Sequence, residues 1–410
     1  SQEVRRFEAV EAVGEDKLRI RTVHPEPLLL ADLSGLAILP RSLGRSGLVF
    51  DAKTDCGGGG PYPSQADFTD GKAAIGTGPY KLVSYSRAAT TVMTRRPEYW
   101  GTAPHWAEVR LSPITAPASR LAALLAGDQD LIEAPGTADL PRLRGDKRFT
   151  VTTQPTTRLI FLQLDTARDP SPFVQGRNAL KDPRVRQALS LAISREAIQD
   201  RIMDKLAVPA AQFLPNGMGG TIPDLPVLPY DPARAKALLA EAGFPNGFTL
   251  TFDGPNNRYV NDAQIAQAVA QQWQRIGVKT EVELMPAAVY FGRRGKRDFS
   301  ASLGGWAPAS AETLEFFRTW LITTDADAGL GTSNYGGWSD AQFDAVVNAA
   351  RVEMDDAKRA ALLQQAGRRA LEQMPVIPVH FESAAWASKA DIHYRGRSDQ
   401  TTLATEVTGP

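Results

Sequence analysis

The sequence predicts a mixed α/β protein of more than one domain. Three observations carry the prediction. At 410 residues the chain is too long for one hydrophobic core. Its first part is written in short strands and its second mostly in capped helices. Between residues 248 and 284 it holds one complete strand–helix–strand unit.

Taken in order, Val10–Val13 and Leu18–Thr22 alternate apolar and polar residues, the pattern of half-buried strands. DCGGGGPYPSQ, around Cys56, reads as a loop; no GKS or GKT follows the glycines, so it is no phosphate cradle. Tyr80–Tyr85 and Thr90–Arg95 form a predicted hairpin. A helix follows over Ala116–Leu125, then a short strand, Asp130–Glu133. RLIFLQLDT (158–166) is apolar enough for a buried central strand. Asp182 then caps a helix with Pro183 in its first turn; Asp231 and Pro232 repeat the device, and Gly243 stops that helix.

In the strand–helix–strand unit, FTLTFDGP leads to a helix with Ile265, Val269, Trp273 and Ile276 on one face. Gly277 ends it, and VKTEVEL alternates as a strand, so parallel pairing is expected. A long helix over Asp340–Gln373 is interrupted near Asp355 by a capping aspartate. It leads into the apolar strand PVIPVHF, and the residues from Ala390 onward are polar and strand-like. Crossings near 160–167 and 378–386 would form a two-segment hinge.

Composition narrows function. The chain is 43% apolar and 22% charged, and Lys+Arg and Asp+Glu both total 46, which argues against a dedicated nucleic-acid binder. No run of ~18 apolar residues offers a membrane-spanning helix. Cys56 is alone, so no intrachain disulfide forms. The opening SQEVRRFEAVEAVGED lacks the features of a secretory signal; the protein is cytoplasmic, or the signal lies outside this sequence. His24, His105, His380 and His393 have no metal-ligand spacing, and TDADAGLG (324–331) lacks the closing Glu of a calcium loop. No catalytic nucleophile motif occurs. The expectation is therefore no enzyme, no cofactor and no metal.

Aromatic and small residues instead gather where loops meet strands, as binding sites in α/β domains do. GPNNRYVND (254–262) contributes Arg258, Tyr259 and Asn261, VYFGRRGKRDF (289–299) contributes Tyr290, and SNYGGWSDAQFD (333–344) contributes Tyr335 and Trp338. Arg293, Arg294, Lys296 and Arg297 read as a solvated basic loop joining two strands. In GGWAPASAETLEFF (304–317), Trp306 is followed by small residues, as though space were left, and then by Glu312.

Several segments, in order, resemble the extracytoplasmic solute-binding proteins of ABC importers, in the family that binds peptides, nickel and opines. They are GTGPYKLVSY (76–85), RRPEYWG (95–101), DPRVRQALSLAISREAI (182–198), YDPARAKALLAEAGFPNG (230–247), IAQAVAQQWQRIGVKTEV (265–282), FSASLGGW (299–306), YGGWSDAQFDAVV (335–347) and MPVIPVHF (374–381). The resemblance covers nearly the whole chain. It implies a two-lobed, hinged fold with an extra small domain, and that this chain starts after the family's N-terminal portion. Residues 1–75 would belong to the small domain, 76–163 and 387–410 to the first lobe, and 164–386 to the second. It further implies a monomeric periplasmic or lipid-anchored protein that encloses a peptide or peptide-like solute between lobes. The solute would pass to a membrane permease and ATPase.

Dipeptide-type members carry an aspartate soon after the Trp, where this chain has APAS (307–310). The departure points toward the subgroup, including glutathione-type binders, with a Glu several residues later. Glu312 would take an ammonium, or serve as a first-turn helix residue. Arg158 and Arg258 are the candidates for a ligand carboxylate. Rival readings are a binder of an opine, sugar-phosphate conjugate or metal chelate, a hydrolase on the same scaffold, and a chaperone-like protein.

Overall fold

The structure, a computed structural model, describes residues 6–14, 16–39 and 65–410; the loop expected around Cys56 lies outside them. The chain divides into two compact units, one of Ser1–Gly35 with Pro155–Ser383, the other of Leu36–Gln154 with Ala384–Pro410. The changes of unit at 154–155 and 383–384 fall within long strands. The stretch 1–75, expected as one small domain, is split between the units. The reason is side-chain chemistry: Leu28 buries in the larger unit's core, and Asp32 pairs with Arg318 at 2.5 Å and with Arg6 at 2.8 Å.

The strands are β1 (Phe7–Val13), β2 (Lys17–Thr22), β3 (Tyr80–Ser84), β4 (Thr91–Arg95), β5 (Glu108–Leu111), β6 (Leu131–Glu133), β7 (Phe149–Leu164), β8 (Ala207–Pro209), β9 (Thr249–Pro255), β10 (Lys279–Met285), β11 (Ala301–Trp306) and β12 (Val376–Lys389), with the short β13 (His393–Tyr394) and β14 (Val407–Thr408). In the smaller unit β3, β4 and β5 form an antiparallel meander, with the predicted hairpin in register Tyr80↔Arg95. Helix α1 (Pro117–Ala126) is stopped by Gly127 at φ +86°, and Leu121 and Leu124 pack with Ile132, Leu143 and Ala387.

The larger unit is built on the strand order β10-β9-β11-β7-β12, with β8 also on β12. Its helices start as the sequence dictates. Asp182 accepts the Arg184 N–H at the head of α2 (Pro183–Leu191), and Asp231 accepts the Arg234 N–H at the head of α3 (Pro232–Glu241). The crossover is β9, α4 (Asp262–Gln274) and β10, with β10 parallel to β9 from Lys279↔Thr249 to Met285↔Pro255. β11 is also parallel to β9 and antiparallel to β7.

One expectation is overturned here. Most of VYFGRRGKRDF is helix α5 (Ala287–Gly295), not a solvated loop. Tyr290 and Arg294 are four residues apart, hence on one face, and both are buried. The basic residues masked this inward stripe. Further on, α6 (Ala341–Ala350) and α7 (Asp356–Gln373) are separate helices capped by Asp340 and Asp355, the division the second aspartate announces.

β7 explains why its apolar run is continuous. Ile160, Leu162 and Leu164 enter one core with Phe252, Val269 and Trp273. Leu159 and Phe161 enter another with Phe316, Phe317 and Trp320. A period of two places successive residues on opposite faces, and both faces are covered.

Candidate functional site

β9 and β11 run parallel, so their carboxyl ends lie on the same side of the sheet, the usual place for ligands in α/β proteins. Trp306 ends β11, paired with Leu159 of β7, and Tyr259 follows β9. The two glycines before Trp306 are needed for close approach. A Cβ on Gly304 would stand 2.8 Å from the Phe161 ring, and one on Gly305 would stand 2.5 Å from the Tyr259 ring. The Tyr259 hydroxyl donates to the Gly305 carbonyl at 3.1 Å, locking that ring against the strand.

From Trp306 an aromatic wall continues through Phe316, at 5.8 Å between ring centroids, and Trp320, at 6.4 Å. Trp320 lies on a π-helical turn, Phe317–Leu321, an element often found at functional sites. Tyr335 stands edge-on to Trp320 at 6.3 Å.

Against this wall lies Arg294. Its guanidinium carbon is 5.0 Å from the Phe291 ring, 5.2 Å from Trp320, 5.3 Å from Tyr335 and 5.5 Å from Tyr290, all within cation–π range. Arg294 is 9% exposed, its Nη1 has no hydrogen-bond partner, and the indole Nε1 of Trp320 has none either. Among the described residues no carboxylate forms an ion pair with Arg294. Four rings stabilise its charge from the side, and the Nη1 that lacks a partner is itself shut off from solvent. A buried cation without a counter-ion is uncommon, because desolvation without pairing is costly. The Tyr290 hydroxyl donates to the Leu303 carbonyl, and burial pushes its pKa up to about 12, so it remains a neutral donor.

Of the residues expected at a site, Trp306, Tyr259, Tyr290 and Tyr335 gather here. Arg158 and Arg258 flank Tyr259. Arg258 is exposed and stacks over the Tyr259 ring at 5.2 Å. Arg158 is half-buried with its Nε 3.4 Å from Glu382 Oε2; burial holds its pKa below the usual arginine value, opposed by Glu382 and assisted by the nearby Arg258.

Three do not join. Trp338 packs on Phe343 at 5.0 Å, with its backbone N–H donating to Asn334 Oδ1. Asn261 adopts φ +55° and donates to the Ile202 carbonyl, a backbone role. The Glu312 carboxylate accepts the Arg359 Nε–H with both oxygens at 3.0 Å, so it is not a free acid. The small residues after Trp306 are likewise engaged: Glu315 folds back to accept N–H groups from Ala309 and Ser310.

Arg294 and Trp320 are the residues sequence reasoning missed. Tyr290 and Phe291 are local to Arg294, but Trp320 and Tyr335 arrive from distant segments, so only the spacing of Tyr290 and Arg294 carried a signal. A groove of about 850 Å³ also runs along α6 and α7, lined by Gln364, Arg368 and Arg369 among others. Its polar side chains are long and surface-borne, and Arg369 is already paired with Asp340.

The sequence profile of the bacterial extracellular solute-binding proteins, family 5, middle region, matches residues 4–328. The chain belongs to that family. Within it, heme-binding protein A of Haemophilus influenzae is 28% identical over 313 residues, covering 74% of this chain and 54% of the relative. The dipeptide-binding protein of Escherichia coli is 27% identical over 376 residues, covering 90% and 65%. This chain therefore spans less than two thirds of these curated relatives. Among solved structures, DppA of Helicobacter pylori in complex with the peptide STSA superposes with a TM-score of 0.80 at 21% identity, covering 98% of this chain and 74% of that one. NikZ of Campylobacter jejuni in complex with Ni(L-His) also gives 0.80, at 19% identity, with 99% and 79% covered. The fold is that of the family's periplasmic binding proteins.

Proposed function

We propose that this protein is the substrate-binding component of an ABC importer. It captures a peptide or peptide-like solute outside the cytoplasm and hands it to a permease driven by an ATPase. No covalent turnover is involved, and the protein acts as a monomer. Family membership supports the class of activity, and dipeptide- and heme-binding relatives support the range of solutes. The observation that carries the reading on this chain is Arg294, a buried guanidinium with an unpaired N–H edge inside an aromatic wall. Such a group receives a carboxylate, while Trp306, Trp320 and Tyr335 pack apolar parts of the solute.

The experiment is thermal-shift screening of short peptides, followed by calorimetry on the hits, with native mass spectrometry to detect any co-purified solute. A ligand that binds only the native state raises the unfolding midpoint. Arg294→Met is expected to weaken binding ~10–100-fold, from the ~1.5–3 kcal/mol of a hydrogen bond to a charged group. A protein that responds to no peptide, and carries none on purification, would end the peptide reading.

A further inference from the structure

The sheet face beneath α5 holds a carboxylate that solute binding does not use. In the register of β10, β9 and β11, Glu283, Asp253 and Ser302 stand side by side. Phe252, one position earlier, enters the core on the opposite face. Asp253 is fully buried, and neither of its oxygens has a hydrogen bond. The charged groups that face it are Arg293 of α5, Glu283 of β10 and Asp298 of the turn after α5; Ser302 of β11 is neutral.

Arg293 is shared among the three acids. Its Nε donates to Asp298 Oδ2 at 2.8 Å, and its Nη2 to the Asp298 carbonyl at 3.3 Å. Nη1 stands 3.4 Å from Glu283 Oε2 and 3.6 Å from Asp253 Oδ1, so it stops short of a bond to Asp253. This arrangement suits a protonated Asp253. An ionised one, buried with both oxygens bare, is costly, and Arg293 Nη1 is the cation within reach.

We infer that Asp253 and Arg293 form a proton-operated latch on α5, open while Asp253 holds its proton and drawn in when it does not. Closing the gap to ~2.7–2.9 Å, the length of a charge-assisted bond, takes Nη1 from Glu283 and pulls the last turn of α5 toward β9. The next residue on that turn is Arg294, whose guanidinium lies against Trp320 and Tyr335. The latch therefore sets how α5 meets the aromatic wall. As regulation of the solute site it rests on the proposed function; as a device of the fold it does not. Burial places the switch near neutrality, raising the Asp253 pKa to about 7.

No solute is needed to test it. Tryptophan emission of the full chain is followed from about pH 5 to about pH 9 in wild type, Asp253→Asn, Arg293→Met and Trp320→Phe. The expected result is one wild-type transition centred near pH 7, absent from all three variants. Asp253→Asn cannot titrate, Arg293→Met has no cation to move, and Trp320→Phe lacks the ring that reports. A flat wild-type curve overturns the latch. So does a transition that persists in Asp253→Asn or Arg293→Met, since another group or another route would then carry it. One that persists in Trp320→Phe shows that the proton does not reach the wall, with the same consequence. Should a variant fail to fold, fluorotryptophan-labelled wild type and Asp253→Asn decide by fluorine NMR. A tryptophan resonance that titrates near pH 7 in the first and not in the second is expected, and its absence overturns the latch. Any of these failures leaves the solute-binding reading standing, because that reading is judged by peptide binding alone.

Discussion

Arg359 holds Glu312: one Nε–H is shared between both carboxylate oxygens at 3.0 Å, and the same guanidinium bonds the Glu353 carbonyl and Asp356. Both side chains are largely buried, so the pair joins α7 to the start of the short helix Thr313–Phe316. An acid that read as a candidate for ligand recognition is a strut.

Removing one partner should therefore register in stability. Glu312→Ala leaves Arg359 buried and partly unpaired, which is expected to cost about 3–5 kcal/mol. The thermal midpoint should fall while the Kd of any ligand, measured well below that midpoint, changes less than threefold. A loss of affinity with an unchanged midpoint would return Glu312 to the binding site.

Gly305 is predicted to resist even a methyl group. Its Cβ would meet the Tyr259 ring at 2.5 Å and Ile160 at 2.8 Å. Gly305→Ala should destabilise by roughly 1–3 kcal/mol through overpacking, and it displaces Tyr259 and hence the edge of the wall. Calorimetric unfolding and ligand affinity should both decline, and an unchanged midpoint would mean the ring has room to move.

His380 should make the protein acid-sensitive. It is fully buried on β12, neither ring nitrogen has a hydrogen-bond partner, and burial lowers its pKa to about 3. The unfolded chain, with an ordinary histidine pKa, takes the proton first. Stability due to the neutral ring is complete above about pH 6.5 and is lost as pH falls toward 3, by roughly 3–5 kcal/mol at most. In His380→Leu the midpoint should fall less steeply between pH 6.5 and 4. An identical slope in the two proteins would refute this.

Asp253 works in the opposite direction. Burial, reinforced by Glu283 and Asp298 and opposed by Arg293, raises its pKa to about 7. The folded state then holds the proton longer than the unfolded chain, so stability from this residue declines as pH rises from about 4 to 7. Asp253→Asn should gain roughly 1–4 kcal/mol relative to wild type at pH 8 and little at pH 4. Melting curves at the two pH values decide it, and an equal effect at both would rule out the titration.

The caps, breaks and periods needed no structure. Asp182, Asp231, Asp340 and Asp355 each begin a helix, because a side-chain acceptor two or three residues from a free N–H is a local relationship. The unit from Thr249 to Met285 was equally legible, since a period of 3.6 between two periods of 2 is written in one continuous segment. Trp306 and Tyr259 could be nominated for the same reason, as both sit where a predicted strand ends.

Only the tertiary structure decided which charges were free. Glu312 and Arg294 look alike in sequence, each a charge beside aromatics. One is consumed by a residue 47 positions away and the other has no acid paired with it among the described residues. Hydrogen-bond and ion-pair satisfaction depends on groups that folding brings together over long separations, and local pattern carries no record of them. The family and its architecture were therefore readable along the chain, whereas the buried Arg294 without a paired acid among the described residues emerged only from the packing of α5 against the π-helical turn and Tyr335.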